Sequence, residues 1–293
     1  MRPSHAVLTA ALLCFTLTNR AQQPAYVPPT CPVAGGSPEA TTRPHTTRPT
    51  PDQVAAIQAA QTSDPTTLTA SEPANFAIAR YRLKDYYDCT SPASCYWADL
   101  DAQTRRAETE LDRLLALHNA TTPGAARAQK LALVLDIDET SLTSYCEEQR
   151  EDFGYIPALF ETWIVSPEAS IPVPGTLRLY NHALAAGIAV FFITGRPGHG
   201  SPNDQTVPTA RNLEAAGYHG WAGLILHASA YPTRDTTTYK SEARASILDR
   251  GYTLLLNMGD QWSDIAEGSD NKAPPNTRAE INVKLPNPFY YLP

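Results

Sequence analysis

The sequence predicts an α/β fold, a parallel sheet flanked by helices. Two observations predict it. From residue 131 onward short apolar runs alternate with helical patterns, and each run is apolar without a break, as a strand buried on both faces requires. Four strands follow, at 131–135, 188–193, 223–226 and 252–256. A helix over 174–186 opens on Pro174 and stops at Gly187, and one over 209–216 stops at Gly217, which places helices between the strands. Residues 52–117 also read as helical, because Phe76, Ala79, Tyr81 and Leu83, and later Leu111, Leu114, Leu115 and Leu117, recur at helical spacings. These helices are expected to pack on the body as an N-terminal extension.

Ahead of that body the chain has no means of building a core. Residues 1–21 carry Arg2 and then a short apolar stretch from Ala6 to Leu17, which reads as a signal peptide because it is too short for a stable membrane span. Residues 22–51 are crowded with Pro and Thr and form a linker. The expected destination is secreted or periplasmic. Four cysteines remain beyond the leader, Cys31, Cys89, Cys95 and Cys146, and they admit three pairings in an oxidising compartment. The short loop between Cys89 and Cys95 makes that bridge the preferred one. With 293 residues, 42% hydrophobic and 18% charged, the chain can bury a full core and is too polar for a membrane protein. A net charge of −7 without a basic run argues against a nucleic-acid polymer as partner and favours a small molecule.

Ligands of open α/β sheets bind beyond the carboxyl ends of the strands, so the residues where each apolar run turns polar carry the information. The first run ends in Asp136-Ile137-Asp138-Glu139-Thr140, where extended geometry would point Asp136 and Asp138 to one side. Two carboxylates so close repel each other. A divalent cation removes that penalty and also binds phosphate oxygens, so the pair suits metal-assisted phosphoryl transfer. The second run ends in Thr194-Gly195-Arg196, a hydroxyl followed by a glycine whose backbone can approach an anion. The fourth leads into Gly259-Asp260 and then Asp264, two acids able to complete a metal shell. Lys240, near the start of a helix, can neutralise phosphate and Asp136. Arg196 is expected to pair with local carboxylates and serve its loop. His182, His199, His219 and His227 show no zinc-ligand spacing.

These four segments, in this order, resemble the haloacid dehalogenase (HAD) superfamily, whose motifs are a strand ending in DxDx(T/V), a strand-end Thr or Ser, a Lys, and GDxxxD. The resemblance is closer still to the secreted acid phosphatase subfamily, subfamily IIIB, with its plant storage-protein-like and bacterial class C members. It rests on DIDET from Asp136, FFITGRP from Phe191, YKSE from Tyr239, GDQWSDI from Gly259 and KLPNPFYYLP from Lys284. What it implies is a Rossmann-like HAD fold over 52–293 with a helical extension at 52–120 and a small cap insert at 141–171. It further implies an acid phosphatase that hydrolyses phosphomonoesters, with nucleotides among the candidate substrates. Asp136 would be the nucleophile and Asp138 the general acid and base, with Thr194, Gly195 and Lys240 on the phosphate. Mg²⁺ would be held by Asp136, the backbone carbonyl of Asp138 and Asp260, with Asp264 beside it or bonded structurally.

Ser144 departs from this pattern, since the family often carries Asn there, and the departure bears on a cap contact. Tyr145, Phe153, Phe160 and Trp163 lie in the insert, where they either stack on an aryl or nucleobase leaving group or, more commonly for such residues, pack the insert's own core. Two other functions suit the same fold. A storage or binding protein is disfavoured by the retention of Asp136, and a phosphotransferase differs only in using an acceptor other than water. The motifs encode no oligomeric state.

Overall fold

The computed structural model describes residues 31, 50, 52, 53, 55, 56, 74–90, 94–121, 130–227, 235–266 and 279–292. The expected leader and linker lie outside the described residues, apart from 31 and 50. Residues 52, 53, 55 and 56 are helical, and two further helices follow among the described residues, α1 (Phe76–Tyr87) and α2 (Tyr96–Thr121). Strand β1 (Lys130–Leu135) then opens a five-stranded sheet of order β3-β2-β1-β4-β5, in which every neighbouring pair is parallel. Between β1 and β2 (Ala189–Pro197) the chain forms α3 (Tyr145–Arg150), α4 (Pro157–Ile164) and α5 (Pro174–Ala185). Helix α6 (Thr206–Ala215) leads to β3 (Gly223–His227), α7 (Thr236–Asp249) to β4 (Tyr252–Gly259), and α8 (Trp262–Ile265) follows β4. The edge strand β5 (Ile281–Lys284) closes the sheet.

The period of two along each strand divides the core into layers. Leu133 and Leu135 of β1 and Val190 and Phe192 of β2 pack on one face with Leu100, Leu111 and Leu114 of α2 and Leu179 of α5. Ala132, Val134, Phe191 and Ile193 face the other way, onto Tyr239, Ala243 and Ile247 of α7. Both faces of β1 and β2 are therefore buried, which is why their sequences are apolar without alternation. Contact between α2 and α5 is close enough that a Cβ on Gly175 would lie 2.4 Å from Thr104 Oγ1.

Several boundaries and one strand differ from those read off the sequence; β4, for one, runs on to Gly259. Helix α6 begins at Thr206 and takes Pro208 into its first turn, where the missing N–H has no helical partner to lose. Strand β2 continues through Thr194 to Pro197, so the second motif is part of the strand's end. Strand β5 has no counterpart among the four expected strands. It is a short edge strand in which Val283 alone is buried, and it carries no continuous apolar run.

The cysteines pair as Cys89 with Cys95 and Cys31 with Cys146, at Cα separations of 4.4 and 5.4 Å. Among the described residues no helix is long and apolar enough to cross a membrane.

Candidate active site

Strand β1 delivers Asp136 to the carboxyl edge of the sheet, where its N–H donates to Met258 O of β4 at 3.0 Å. The chain then turns at once. Ile137 O accepts from Ser141 N and Leu142 N, both at 2.8 Å, and Ser141 Oγ donates to Asp136 O at 2.6 Å. Within this turn Glu139 adopts φ 53°, a left-handed conformation that a non-glycine residue holds only when its surroundings fix it. They do: its carboxylate, fully buried, accepts from Tyr96 Oη at 2.9 Å, from Ser144 Oγ at 2.7 Å and from Ser144 N. Ser144, the departure noted in the sequence, thus anchors the motif loop from within. Burial pushes the Glu139 carboxyl up to about 7, with the Ser144 donors acting against that rise.

Three buried carboxylates meet beyond the strand ends. Ligand atoms of Asp136, Asp260 and Asp264 all lie within 4.8 Å of one another. Asp260 follows β4 and is fixed by Thr140 Oγ1 at 3.2 Å, Gln261 Nε2 at 2.7 Å and Asn287 Nδ2 at 2.7 Å. Asp264 lies in the first turn of α8, and its side chain turns back to accept from Gln261 N at 2.7 Å. Gly259 makes that return feasible, because a Cβ there would sit 2.2 Å from Asp264 Oδ2. Lys240 of α7 donates to Asp136 Oδ1 at 2.7 Å and also to Asp264 Oδ1.

This group is electrostatically incomplete. Burial and the charge of Asp264 push the Asp136 carboxyl well up, and burial with the same neighbour raises Asp260. Burial works against the charge of Lys240, but Asp136 and Asp264 outweigh it and hold the ammonium above the ordinary lysine range. One ammonium faces three acids in a region of low dielectric, a donor set of oxygen atoms alone that fits a hard divalent cation.

Of the residues expected on phosphate, Lys240 is bonded to this group, while Thr194 and Gly195 end the strand β2 that pairs with β1. Thr194 is buried and its Oγ1 accepts from Arg196 N at 3.2 Å. A Cβ on Gly195 would meet nothing within 4 Å, so the backbone there faces open space. Asp138 does not join the carboxylate cluster. Its Oδ1 accepts from Arg196 Nη2 at 2.6 Å and its Oδ2 from Arg196 Nε at 3.0 Å, and both residues line a cavity of about 1140 Å³. The sequence anticipated a local carboxylate partner for Arg196; the partner is instead the acid of the first motif, 58 residues away.

The insert aromatics fall into two clusters, of which one is the insert core considered above. Phe160 and Trp163 pack with Ile164 and Ala169 in the insert's own small cluster. Tyr145 and Phe153 instead join Tyr87, Tyr96 and Phe289, which corrects the expectation of one insert core: the extension and the C-terminal tail supply their partners. Phe153, Phe160 and Phe289 also line the cavity. Asn287, Gln261 and the Glu139–Ser144–Tyr96 bonds went unread as site components. The one signal for Asn287 was a polar residue inside the tail string KLPNPFYYLP.

A HAD-type sheet with its acids gathered at the strand ends defines the class of protein, and comparison with known sequences places it more narrowly. Residues 54–293 match the profile of the HAD superfamily, subfamily IIIB (Acid phosphatase), and the chain belongs to that family. It is 36% identical over 163 residues to Acid phosphatase 1 of Solanum lycopersicum, covering 54% of this chain and 58% of that protein. It is 32% identical over 163 residues to Vegetative storage protein 1 of Arabidopsis thaliana, covering 55% of each. The chain thus spans between half and two thirds of these relatives' length. In structure it resembles the class C acid phosphatase from Bacillus anthracis, with a TM-score of 0.53 at 22% identity over 73% of this chain and 84% of that one, a likeness of fold.

Proposed function

We propose that this protein is an exported, divalent-metal-dependent acid phosphatase that hydrolyses phosphomonoesters through an aspartyl-phosphate on Asp136, with Mg²⁺ as the metal. The observation that carries the reading is the convergence of Asp136, Asp260 and Asp264 within 4.8 Å around the Lys240 ammonium. Membership of an acid phosphatase family supports it. Export is supported by the two disulfides, which persist in oxidising compartments, and by the apolar stretch near the N-terminus.

In this reading the Asp136 carboxylate attacks phosphorus and the ester oxygen departs on the opposite side. Lys240 holds Asp136 in place and balances charge on the equatorial phosphoryl oxygens, with Thr194 and the Gly195 backbone completing the cradle. Asp138, at the cavity wall, gives a proton to the leaving oxygen and then takes one from the water that opens the acyl phosphate. Asp136, Asp260 and the Asp138 carbonyl would hold the cation, with Asp264 beside them, and it supplies charge neutralisation to the acids and the phosphoryl oxygens. The expected result is that Asp136→Asn abolishes hydrolysis of an aryl phosphate in Mg²⁺ at acid pH. Undiminished turnover by that variant would end the proposal.

A further inference from the structure

The phosphate end of the site and the leaving-group end carry opposite charge requirements. Four carboxylates line the cavity, those of Asp138, Glu148, Glu161 and Asp204. Among the described residues that line it, Arg196 is the one with a fixed positive charge, and its guanidinium is committed to both oxygens of Asp138. Asp204 is bonded to His199 Nδ1 at 2.9 Å and to Thr206. Glu161 is exposed.

Glu148 stands apart from these. It projects from α3, is 8% exposed, and among the described residues its carboxylate has no hydrogen-bond or ion-pair partner. Its acidic neighbours do not relieve it. Glu147 is paired with Arg150, which also reaches Glu168 at 3.4 Å, and Glu151 accepts from Ile156 N while its other oxygen is buried without a partner. A carboxylate so largely withdrawn from water is costly unless something completes it, and in a cavity wall that can be water, an ion or a bound ligand. Around it the cavity wall is aromatic: Phe153, Tyr155, Phe160, Phe289 and Tyr291. Ring faces attract cations, so aromatic walls with a carboxylate behind them form an ammonium-binding surface.

Resting on the phosphatase reading above, we propose that the leaving-group pocket selects phosphomonoesters whose alcohol carries a positively charged ammonium group, with Glu148 as its counter-ion. Phosphate bound at the Lys240 end and a cation at the Glu148 end make a zwitterionic ester the complementary substrate. Esters with a second anionic group are repelled by the same wall.

Three phenyl phosphates test this, with para substituents of trimethylammoniomethyl, its neutral isostere neopentyl, and carboxymethyl. With the full chain in Mg²⁺, kcat/KM should fall in that order, the first exceeding the last by at least about tenfold, with the difference carried by KM and reduced by salt. In Glu148→Gln the cation-to-anion ratio should drop to within about threefold. Binding of benzyltrimethylammonium, which carries no phosphate, is measured beside this by calorimetry and should weaken in Glu148→Gln and, to a smaller degree, in Glu161→Gln. A wild-type ratio near one, or a ratio and an affinity that survive Glu148→Gln, would overturn the proposal. Loss of all turnover with Glu148-dependent ammonium binding intact would instead overturn the phosphatase reading and leave the pocket assignment standing.

Discussion

Replacing Glu148 with Gln should make the protein more stable in alkaline solution and leave it unchanged in acid. Burial, reinforced by the charges of Glu151 and Glu147, pushes the Glu148 carboxyl from its ordinary 4.5 up to about 7. A folded-state value above the unfolded one means that the native protein binds the proton more tightly. That stabilisation is fully present below about pH 4.5 and is lost as the pH rises through about 7. The whole interval corresponds to at most about 3 kcal/mol. Solvent reaching the cavity, and the amide's own unmet hydrogen bonds, reduce the gain expected from Gln to about 1–2 kcal/mol. For a chain of this size that is a rise in Tm of roughly 4 °C.

The assay is thermal unfolding of the wild type and Glu148→Gln at pH 4 and pH 8, in chelator so that metal binding does not enter. The informative quantity is the change in Tm at pH 8 minus that at pH 4, because any packing cost of the amide is common to both. Glu139, also raised to about 7, remains in both proteins and cancels. An equal shift at the two pH values, or a variant less stable at pH 8 than at pH 4 relative to wild type, would refute the assignment of Glu148 as an uncompensated buried acid.

Lys240→Met leaves Asp136 and Asp264 buried without their ammonium, so the metal-free protein should lose about 3–5 kcal/mol and kcat should fall about 10²–10³-fold; melting with chelator and with Mg²⁺ should show the stability deficit shrink when the metal is added. Asn287→Ala removes a 2.7 Å donor from Asp260 and should weaken Mg²⁺ binding about 10–100-fold, read from the Mg²⁺ dependence of turnover. The Cys31–Cys146 bridge closes a separation of 115 residues and Cys89–Cys95 one of 6, so removing the first should cost about 2–3 kcal/mol more, measured from denaturant midpoints.

Much of this architecture is legible in the chain because burial on both faces leaves an unmistakable trace. Strands β1 to β4 are runs of apolar residues, and the chemistry begins where each run stops. The same logic explains β5: as an edge strand reading Ile281, Asn282, Val283, Lys284, it needs only one buried residue and leaves no run to find. The motif acids were visible as types and spacings, and the turn after β1 and the glycine before Asp260 bring them together. Partnerships across long separations were not. Arg196 and Asp138 are 58 residues apart, and Asn287 is 27 from Asp260, so neither pairing has a periodic or local signature. Ser144 shows the converse limit. Its identity was noticed as a departure, but its use, closing on Glu139 five residues earlier, depends on a left-handed turn that nothing nearby announces.

Those unannounced contacts show that the sheet ends do not make the site by themselves. The strands place Asp136 and Asp260 side by side, yet two buried carboxylates so close would turn apart or take up protons unless each were held from elsewhere. Restraint comes from both ends of the chain. Tyr96, at the start of α2, fixes Glu139 and through it the turn that follows Asp136, while Asn287 in the tail fixes Asp260 from the opposite side. Phe289, two residues beyond Asn287, packs edge-on against Tyr96 at 5.3 Å, so the two restraints bear on one aromatic cluster. The helical extension and the tail are therefore parts of the acid cluster's geometry, because they hold apart from solvent and in register the charges that the sheet only brings near.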